Sequence, residues 1–323
     1  MKKLFLAVLL AGSAVATAAY GQAFPTKPVT MVVPFTAGGP TDTVARSLGA
    51  AMGKPLGQTV IVENVGGAGG TIGAARVKNA TPDGHTVLLH HIGMSTAPAL
   101  YRKLAYNPLT DFEMIGLVVD VPMTIIARSD FPAGNLAEAI GYIRKNKDRI
   151  NLANAGLGAA SHLCGLLFMS AIETDLTTIP FKGTADAMNA LLGKQVDVLC
   201  DQTTNTTGQI KAGTVKSYAV TSATRSAALP ALPTAAEAGL AGFEVGVWHG
   251  IYAPKGTPKA VIERLNAALL AGARDPDFGR RMTELGASIY SAANMTPEAH
   301  AALLKAQIEK WGPIIRKAGA YAD

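Results

Sequence analysis

The chain has 323 residues, is 49% hydrophobic and carries a formal net charge of +6, from 29 lysines and arginines against 23 acids. A chain so long and apolar exceeds what one core organises, which predicts two lobes and excludes disorder. The positive balance is mild and no block of Lys or Arg occurs, so nucleic acid is excluded as a partner.

Met1-Lys2-Lys3 opens with positive charge, an apolar run extends from Leu4 to Ala19, and small residues lead to Gly21-Gln22-Ala23. This order predicts a secretory signal peptide over residues 1–23, cleaved before Phe24, and hence an exported protein. A membrane anchor needs about 20 apolar residues; this run is shorter and ends in small residues. Removal of the segment takes Lys2 and Lys3, lowering the formal charge from +6 to +4.

Val29 to Val33 is a β-branched run that predicts a buried strand, broken by Pro34-Phe35-Thr36-Ala37-Gly38-Gly39-Pro40. Thr41 or Asp42 then caps a helix with Val44, Ala45, Leu48 and Met52 at helical spacing. A second strand, Thr59 to Val62, leads through Gly66-Gly67-Ala68-Gly69-Gly70 to a helix opening at Thr71, and a third covers His85 to Leu89. The same order returns at Asn151 to Asn154, the turn Ala155-Gly156-Leu157-Gly158, and a helix from Ser161 to Ser170. A strand at Thr177 to Phe181 follows, then Lys182-Gly183-Thr184 opening a helix through Ala187 and Leu191, then a strand from Val196 to Cys200 ending at Asp201.

Strands alternating with helices predict parallel α/β sheets covered on both faces. The two units divide near Pro122 and again near Val245, so that residues 24–122 with 246–323 form one lobe and residues 123–245 the other. Leu117 to Ile126 and Lys216 to Thr221 are strands passing between or flanking the lobes. The tail from Thr257 to Ala320 is mostly helical, with Pro258, Pro276 and Pro297 at helix starts, and packs on the first lobe.

Ligands of open α/β sheets sit beyond the carboxyl ends of the strands, where these glycine turns lie. Each turn begins a helix, exposing backbone N–H groups and about half a positive charge. Charge-assisted hydrogen bonds contribute about 1.5–3 kcal/mol each, so several such ends hold an anion without an arginine. A nucleotide is disfavoured: Ile72 stands where the dinucleotide fingerprint needs its third glycine, and no G-x-x-x-x-G-K-[ST] run exists. A secreted hydrolase is disfavoured too. Ser161 and His162 are neighbours, pointing about 100° apart on a helix, and no G-x-S-x-G elbow is present. His90, His91, His162 and His249 stand near strand ends or turns, within reach of a ligand.

Cys164 and Cys200 are the two cysteines. In an oxidising compartment such a pair favours a disulfide; no C-x-x-C or H-x-x-x-H spacing indicates a metal, and no cofactor is expected.

The loop Pro34-Phe35-Thr36-Ala37-Gly38-Gly39-Pro40-Thr41-Asp42 resembles the first ligand loop of the solute receptors of tripartite tricarboxylate transporters, the Bug family. Glu63 to Gly73 is similar to their second loop, and Pro180-Phe181-Lys182-Gly183, Gly193-Lys194-Gln195-Val196-Asp197, Leu232 to Gly239 and Ala253 to Pro258 continue the likeness in order. The resemblance implies a periplasmic, monomeric receptor of the two-lobe type II binding-protein fold, closing its cleft on a small carboxylate. It would deliver this ligand to a large and a small membrane subunit. A receptor signalling to a membrane sensor is the alternative.

Carried over by position, first-lobe contacts come from Phe35, Thr36, Ala37, Gly38, Gly39, Thr41 and Asp42, and from Gly67, Ala68, Gly69 and Gly70. Second-lobe contacts come from Gly156, Leu157, Gly158, Ala159, Ala160 and Ser161, from Lys182, Gly183, Thr184 and Ala185, and from Asp201 nearby. Asp42 also has a structural reading, a helix cap paired with Arg46, and Lys182 reads equally as a solvated rim charge. Where many relatives carry small hydroxyl residues, this chain has His90-His91-Ile92-Gly93-Met94-Ser95, which suggests a carboxylate on an apolar or aromatic body.

Overall fold

The computed structural model describes residues 24–317; the predicted signal peptide lies outside the described residues. The first unit alternates β1 (Val29–Val33), α1 (Pro40–Leu56), β2 (Val60–Asn64), α2 (Thr71–Lys78), β3 (Thr86–His91) and α3 (Gly93–Leu100). A 17-residue strand, β4 (Phe112–Arg128), leads to α4 (Leu136–Lys145). The second unit is β5 (Asn151–Asn154), α5 (Ala160–Ala171), β6 (Thr177–Pro180), α6 (Thr184–Leu192), β7 (Val198–Gln202), α7 (Thr203–Lys211) and β8 (Val215–Val220). The chain then returns through β9 (Gly246–Pro254), α8 (Lys259–Ala273), α9 (Pro276–Glu284), the short β10 (Ser288–Ile289) and α10 (Pro297–Lys317).

The strands hydrogen-bond in the order β2-β1-β3-β9-β4-β7-β5-β6, with β8 and β10 also pairing β4. Pairing is parallel among β2, β1 and β3 and among β7, β5 and β6, the two halves expected from sequence. The sheet as a whole is mixed, because β9 runs antiparallel to β3 and β4, and β4 antiparallel to β7 and β8. The parallel pairing expected within each unit is present, and the antiparallel pairs fall at the junction, where the chain crosses and returns without a helical crossover.

β4 belongs to both halves. Phe112 to Pro122 pairs with β9, ending at Pro122 opposite Gly246, whereas Met123 to Ala127 pairs with β7. Pro122 has no N–H to continue a ladder. Beyond it the Met123 N–H goes to the Thr221 hydroxyl at 2.9 Å.

β1 shows why both faces are covered. Met31 and Val33 pack with Val44 and Leu48 of α1 and Leu265 and Leu269 of α8, while Val32 turns to Ala74 and Val77 of α2. All are fully buried, as a strand sandwiched between helices requires. The helical tail returns to the first unit, α8 against α1 and α10 against α3. In the second unit Leu152 and Cys200 meet Leu163 and Phe168, and Ala153 and Leu199 meet Ala187 and Leu191. A disulfide joins Cys164 of α5 to Cys200 of β7, with Cα atoms 6.1 Å apart, within the ordinary range.

Candidate functional site

The site begins where parallel strands end and helices start. After β1, Gly39 precedes α1 without any side-chain cap and Pro40 is its first residue, so the cap expected from Thr41 or Asp42 is corrected. Proline there has no N–H, so the next free donors belong to Thr41 and Asp42. Asp42 is 3% exposed and turns back into its own loop. It accepts from the Gly38 N–H at 2.9 Å, from Arg46 Nε at 2.8 Å and from Asn64 Nδ2 at 2.9 Å. These partners hold its carboxyl below the usual range against the opposing effect of burial, so it is ionised. Both Asp42 oxygens are thus engaged within the loop, as the reading of a pair with Arg46 requires, and Asp42 does not line the space enclosed between the two units.

A small enclosed space of about 10 Å³, enough for about one water, lies between the two units. Its walls are Phe35, Pro40, Thr41 and His91 from the first unit, and Ala155, Ala159, Ala160, Ser161, Thr184, Asp201 and Gln202 from the second. Pro40 and Thr41 begin α1, Ala160 and Ser161 begin α5, Thr184 begins α6, and Gln202 precedes α7. Four helix starts thus face one point, and no Lys or Arg is among the lining residues. The Ser161 Oγ accepts the Ala155 N–H at 2.8 Å, which leaves its own proton to donate inward. Gln202 Oε1, Thr203 Oγ1, Thr204 Oγ1 and Thr36 Oγ1 are buried without hydrogen-bond partners.

The remaining expected contacts form a tier around this space. A β-carbon on Gly39 would touch Ala185 N at 3.6 Å, and one on Gly183 would meet the Thr36 backbone N at 2.7 Å. At Gly69, with φ of +61°, it would overlap the Leu157 carbonyl; Gly156 stands against the same residue. At Gly69, Gly156 and Gly183 only glycine allows the approach, whereas a β-carbon at Gly39 would make an ordinary contact. Of this loop Gly69 meets Leu157 of the opposite unit, whereas Gly67 lies against Ile72 and Gly70 against His90 and Phe35 of their own unit, and residues 67–70 do not line the enclosed space. Thr96 Oγ1 donates to Gly158 O at 2.7 Å, and the Tyr101 hydroxyl lies 2.8 Å from Leu157 O and 2.7 Å from Ala68 O. Ala37, Gly38 and Lys182 are exposed.

The histidines form a buried wall. His91 stacks on Phe35 with centroids 4.7 Å apart, and His90 and His249 both pack edge-on to His91. His249 Nε2 is 3.3 Å from Thr41 Oγ1 and its Nδ1 3.1 Å from Val247 O. Burial pushes His90 down to about 3 and His249 to about 4, and holds His91 well below its ordinary value. All three are neutral near pH 7, so they offer shape and not positive charge. Only His91 touches the enclosed space; His90 and His249 stand behind it. Ser161 and His162 are engaged apart, since His162 Nδ1 accepts the Gly158 N–H at 3.3 Å. No nucleophile–base pair results.

Pro40, Ala155 and Gln202 were not expected as contacts. Gln202 had a signal, since Cys200-Asp201-Gln202-Thr203 is another strand end followed by a helix start, but without glycine.

The family described as tripartite tricarboxylate transporter family receptor matches residues 44–320. This chain belongs to that family. The periplasmic binding protein BugD is 59% identical, with a TM-score of 0.90 over 92% of this chain and 99% of that one. MatC from Rhodopseudomonas palustris, solved with bound malate, is 42% identical, with a TM-score of 0.87 over 90% and 100%. A second R. palustris protein, solved with adipate, is 31% identical, with a TM-score of 0.86 over 92% and 98%. The receptor is thus a solute-binding protein of the two-lobe fold, and no helix among its described residues is long and apolar enough to cross a membrane.

Proposed function

We propose that this receptor captures a small dicarboxylate in the periplasm and delivers it to the large and small membrane subunits of a tripartite transporter. The observation that carries the reading is the convergence of four helix starts on one buried point without a Lys or Arg in the lining. Backbone N–H groups and about half a positive charge at each start favour an anion there. The unpartnered hydroxyls of Thr36, Thr203 and Thr204 supply further donors, and relatives solved with malate and adipate support a dicarboxylate. His91 stacked on Phe35 gives one wall an apolar, aromatic surface for the ligand body.

The enclosed space is far smaller than a dicarboxylate, so the lobes must part to admit one. The division into residues 24–122 with 246–323 and residues 123–245 fits the change of pairing partner in β4 after Pro122, opposite Gly246. Bending there separates the glycine tier and opens the helix starts to solvent. Removal of residues 1–23 on export completes the reading. The test is calorimetric titration of the chain starting at Phe24 with malate, succinate, adipate and an aromatic dicarboxylate, each beside its monoamide. Binding of at least one diacid, far tighter than its amide, is expected; equal affinity for amide and acid, or no binding across the panel, overturns the proposal.

A further inference from the structure

An anion site that contains a buried carboxyl group poses a charge problem. Asp201 ends β7, is 0% exposed and lines the enclosed space. One of its oxygens accepts the Gln202 N–H at 2.8 Å, and the other accepts Asn205 Nδ2 at 2.6 Å. No cation joins it in the lining, and the adjacent Gln202 Oε1 is a second buried acceptor without a partner. A ligand carboxylate seated among the helix starts would therefore face an acceptor-rich wall.

We propose that Asp201 meets the ligand as a neutral carboxylic acid, donating its O–H to a ligand carboxylate oxygen, so that each capture takes up one proton from solvent. This rests on the dicarboxylate reading above. The proton passes from solvent to an Asp201 oxygen as the cleft closes, and no covalent bond of the ligand changes. Two carboxylates at hydrogen-bond distance in a dry site cannot both stay ionised, and the one that is easier to protonate takes the proton. Burial already raises Asp201 to about 6, against hydrogen bonds from Asn205, Gln202 and Thr184 that favour its ionised form. A neighbouring anion pushes it further in the same direction.

The other ionisable groups around the cleft do not supply the missing charge. His91, with His90 and His249 behind it, is neutral, and so is His162 on α5, pushed down to about 4 by burial. Asp42 on α1 is neutralised by Arg46 at 2.8 Å. Lys182 and Asp186, on either side of the start of α6, do not line the space. Thr124 of β4 contributes only a hydroxyl to the Asp201 carbonyl, at 3.2 Å.

The test is titration of the wild-type chain with malate, succinate and adipate in two buffers of different ionisation enthalpy, repeated over about pH 7 to 8.5. Uptake approaching one proton per ligand is expected, with affinity falling about tenfold per pH unit as pH rises. In Asp201→Asn an amide N–H replaces the acid, so proton uptake should vanish and the pH slope flatten, whatever the absolute affinity. A wild type that binds without proton uptake, or an Asp201→Asn protein with the same uptake, overturns the proposal. So does tight binding of an amino-dicarboxylate without proton uptake that Asp201→Asn abolishes, since Asp201 would then be a counter-ion to an ammonium group. If no probe binds the wild type, the dicarboxylate reading itself fails and this inference with it.

Discussion

The Thr96 hydroxyl donates to the Gly158 carbonyl at 2.7 Å, joining α3 of the first lobe to the loop before α5 of the second. Thr96 is fully buried and lies outside the lining of the enclosed space. On the proposed opening and closing of the lobes, this bond would favour the closed form from outside the lining of the site. A ligand shifts the open–closed balance only by its difference in affinity for the two forms, and a bond made only on closure adds to that shift. Thr96→Val keeps the shape and leaves the Gly158 carbonyl unpaired in the closed form, at a cost of about 1–3 kcal/mol. Dicarboxylate affinity should fall about 5- to 150-fold, with the thermal midpoint of the unliganded protein little changed. Unaltered affinity in a titration would show that the contact does not contribute to closure.

Gly183 offers a steric counterpart. Its φ is −177°, extended backbone that any residue adopts, so alanine introduces no strain within the second lobe. The added β-carbon would nevertheless meet the Thr36 backbone N at 2.7 Å across the cleft. Gly183→Ala should hold the lobes apart and weaken binding by about tenfold or more, equivalent to at least about 1.4 kcal/mol. X-ray scattering at saturating ligand should give a larger radius of gyration than for the wild type; identical radii and affinities would contradict the steric argument.

These two residues illustrate what could be read from sequence. Gly183 announces itself, because a strand, a glycine and a helix in succession place a turn at a sheet's carboxyl edge. Thr96 does not. Gly93-Met94-Ser95-Thr96-Ala97-Pro98-Ala99-Leu100 has small residues and an internal proline, so α3 has little helical signature, and its position is set by packing against α10. β9 was hidden for a different reason. From Val247 to Pro254 it is buried throughout, so no alternation marks it, and His249-Gly250 interrupts the apolar run. α7 begins with the polar, β-branched stretch Thr203-Thr204-Asn205-Thr206-Thr207, which favours turns or strands in isolation. Tertiary contacts override that preference: the hydroxyls of Thr124 and Thr206 meet at 2.9 Å, and Thr207 Oγ1 donates to Leu285 O at 3.3 Å. The helix start beside Asp201 and Gln202 was consequently the part of the site least visible in the sequence.

The Cys164–Cys200 disulfide closes a loop of 36 residues between α5 and β7. In the chain-entropy view, such a cross-link stabilises by about 3–4 kcal/mol by restricting the unfolded chain. Urea unfolding of the protein with and without reductant should show a loss of that order. Because α5 and β7 carry Ser161 and Asp201, the same bond fixes two walls of the site relative to each other. Coincident unfolding curves in the two conditions would remove the disulfide from the account of stability.

Acid should destabilise the fold through its buried histidines. His90 and His300 are pushed down to about 3, and His162 and His249 to about 4, each by burial, whereas an unfolded histidine titrates near about 6.5. Below that value the unfolded chain binds protons that the folded one refuses, so stability is full above about pH 6.5 and drains away as pH falls towards about 4. One such histidine accounts for about 2 kcal/mol at pH 5. Asp201 acts in the opposite sense, because its carboxyl is raised to about 6 and the folded state takes up its proton first. Burial raises Asp120 as well, with the same sense, but four histidines outweigh the two carboxyls, so urea unfolding should give lower stability at about pH 5 than at about pH 7. His300 isolates the effect, since it lies away from the cleft between Trp248 and Tyr252 with neither ring nitrogen hydrogen-bonded. His300→Leu should reduce the slope below about pH 6.5 by about 1.4 kcal/mol per pH unit. A slope unchanged by that substitution would mean that His300 takes up its proton in the folded protein as readily as in the unfolded chain.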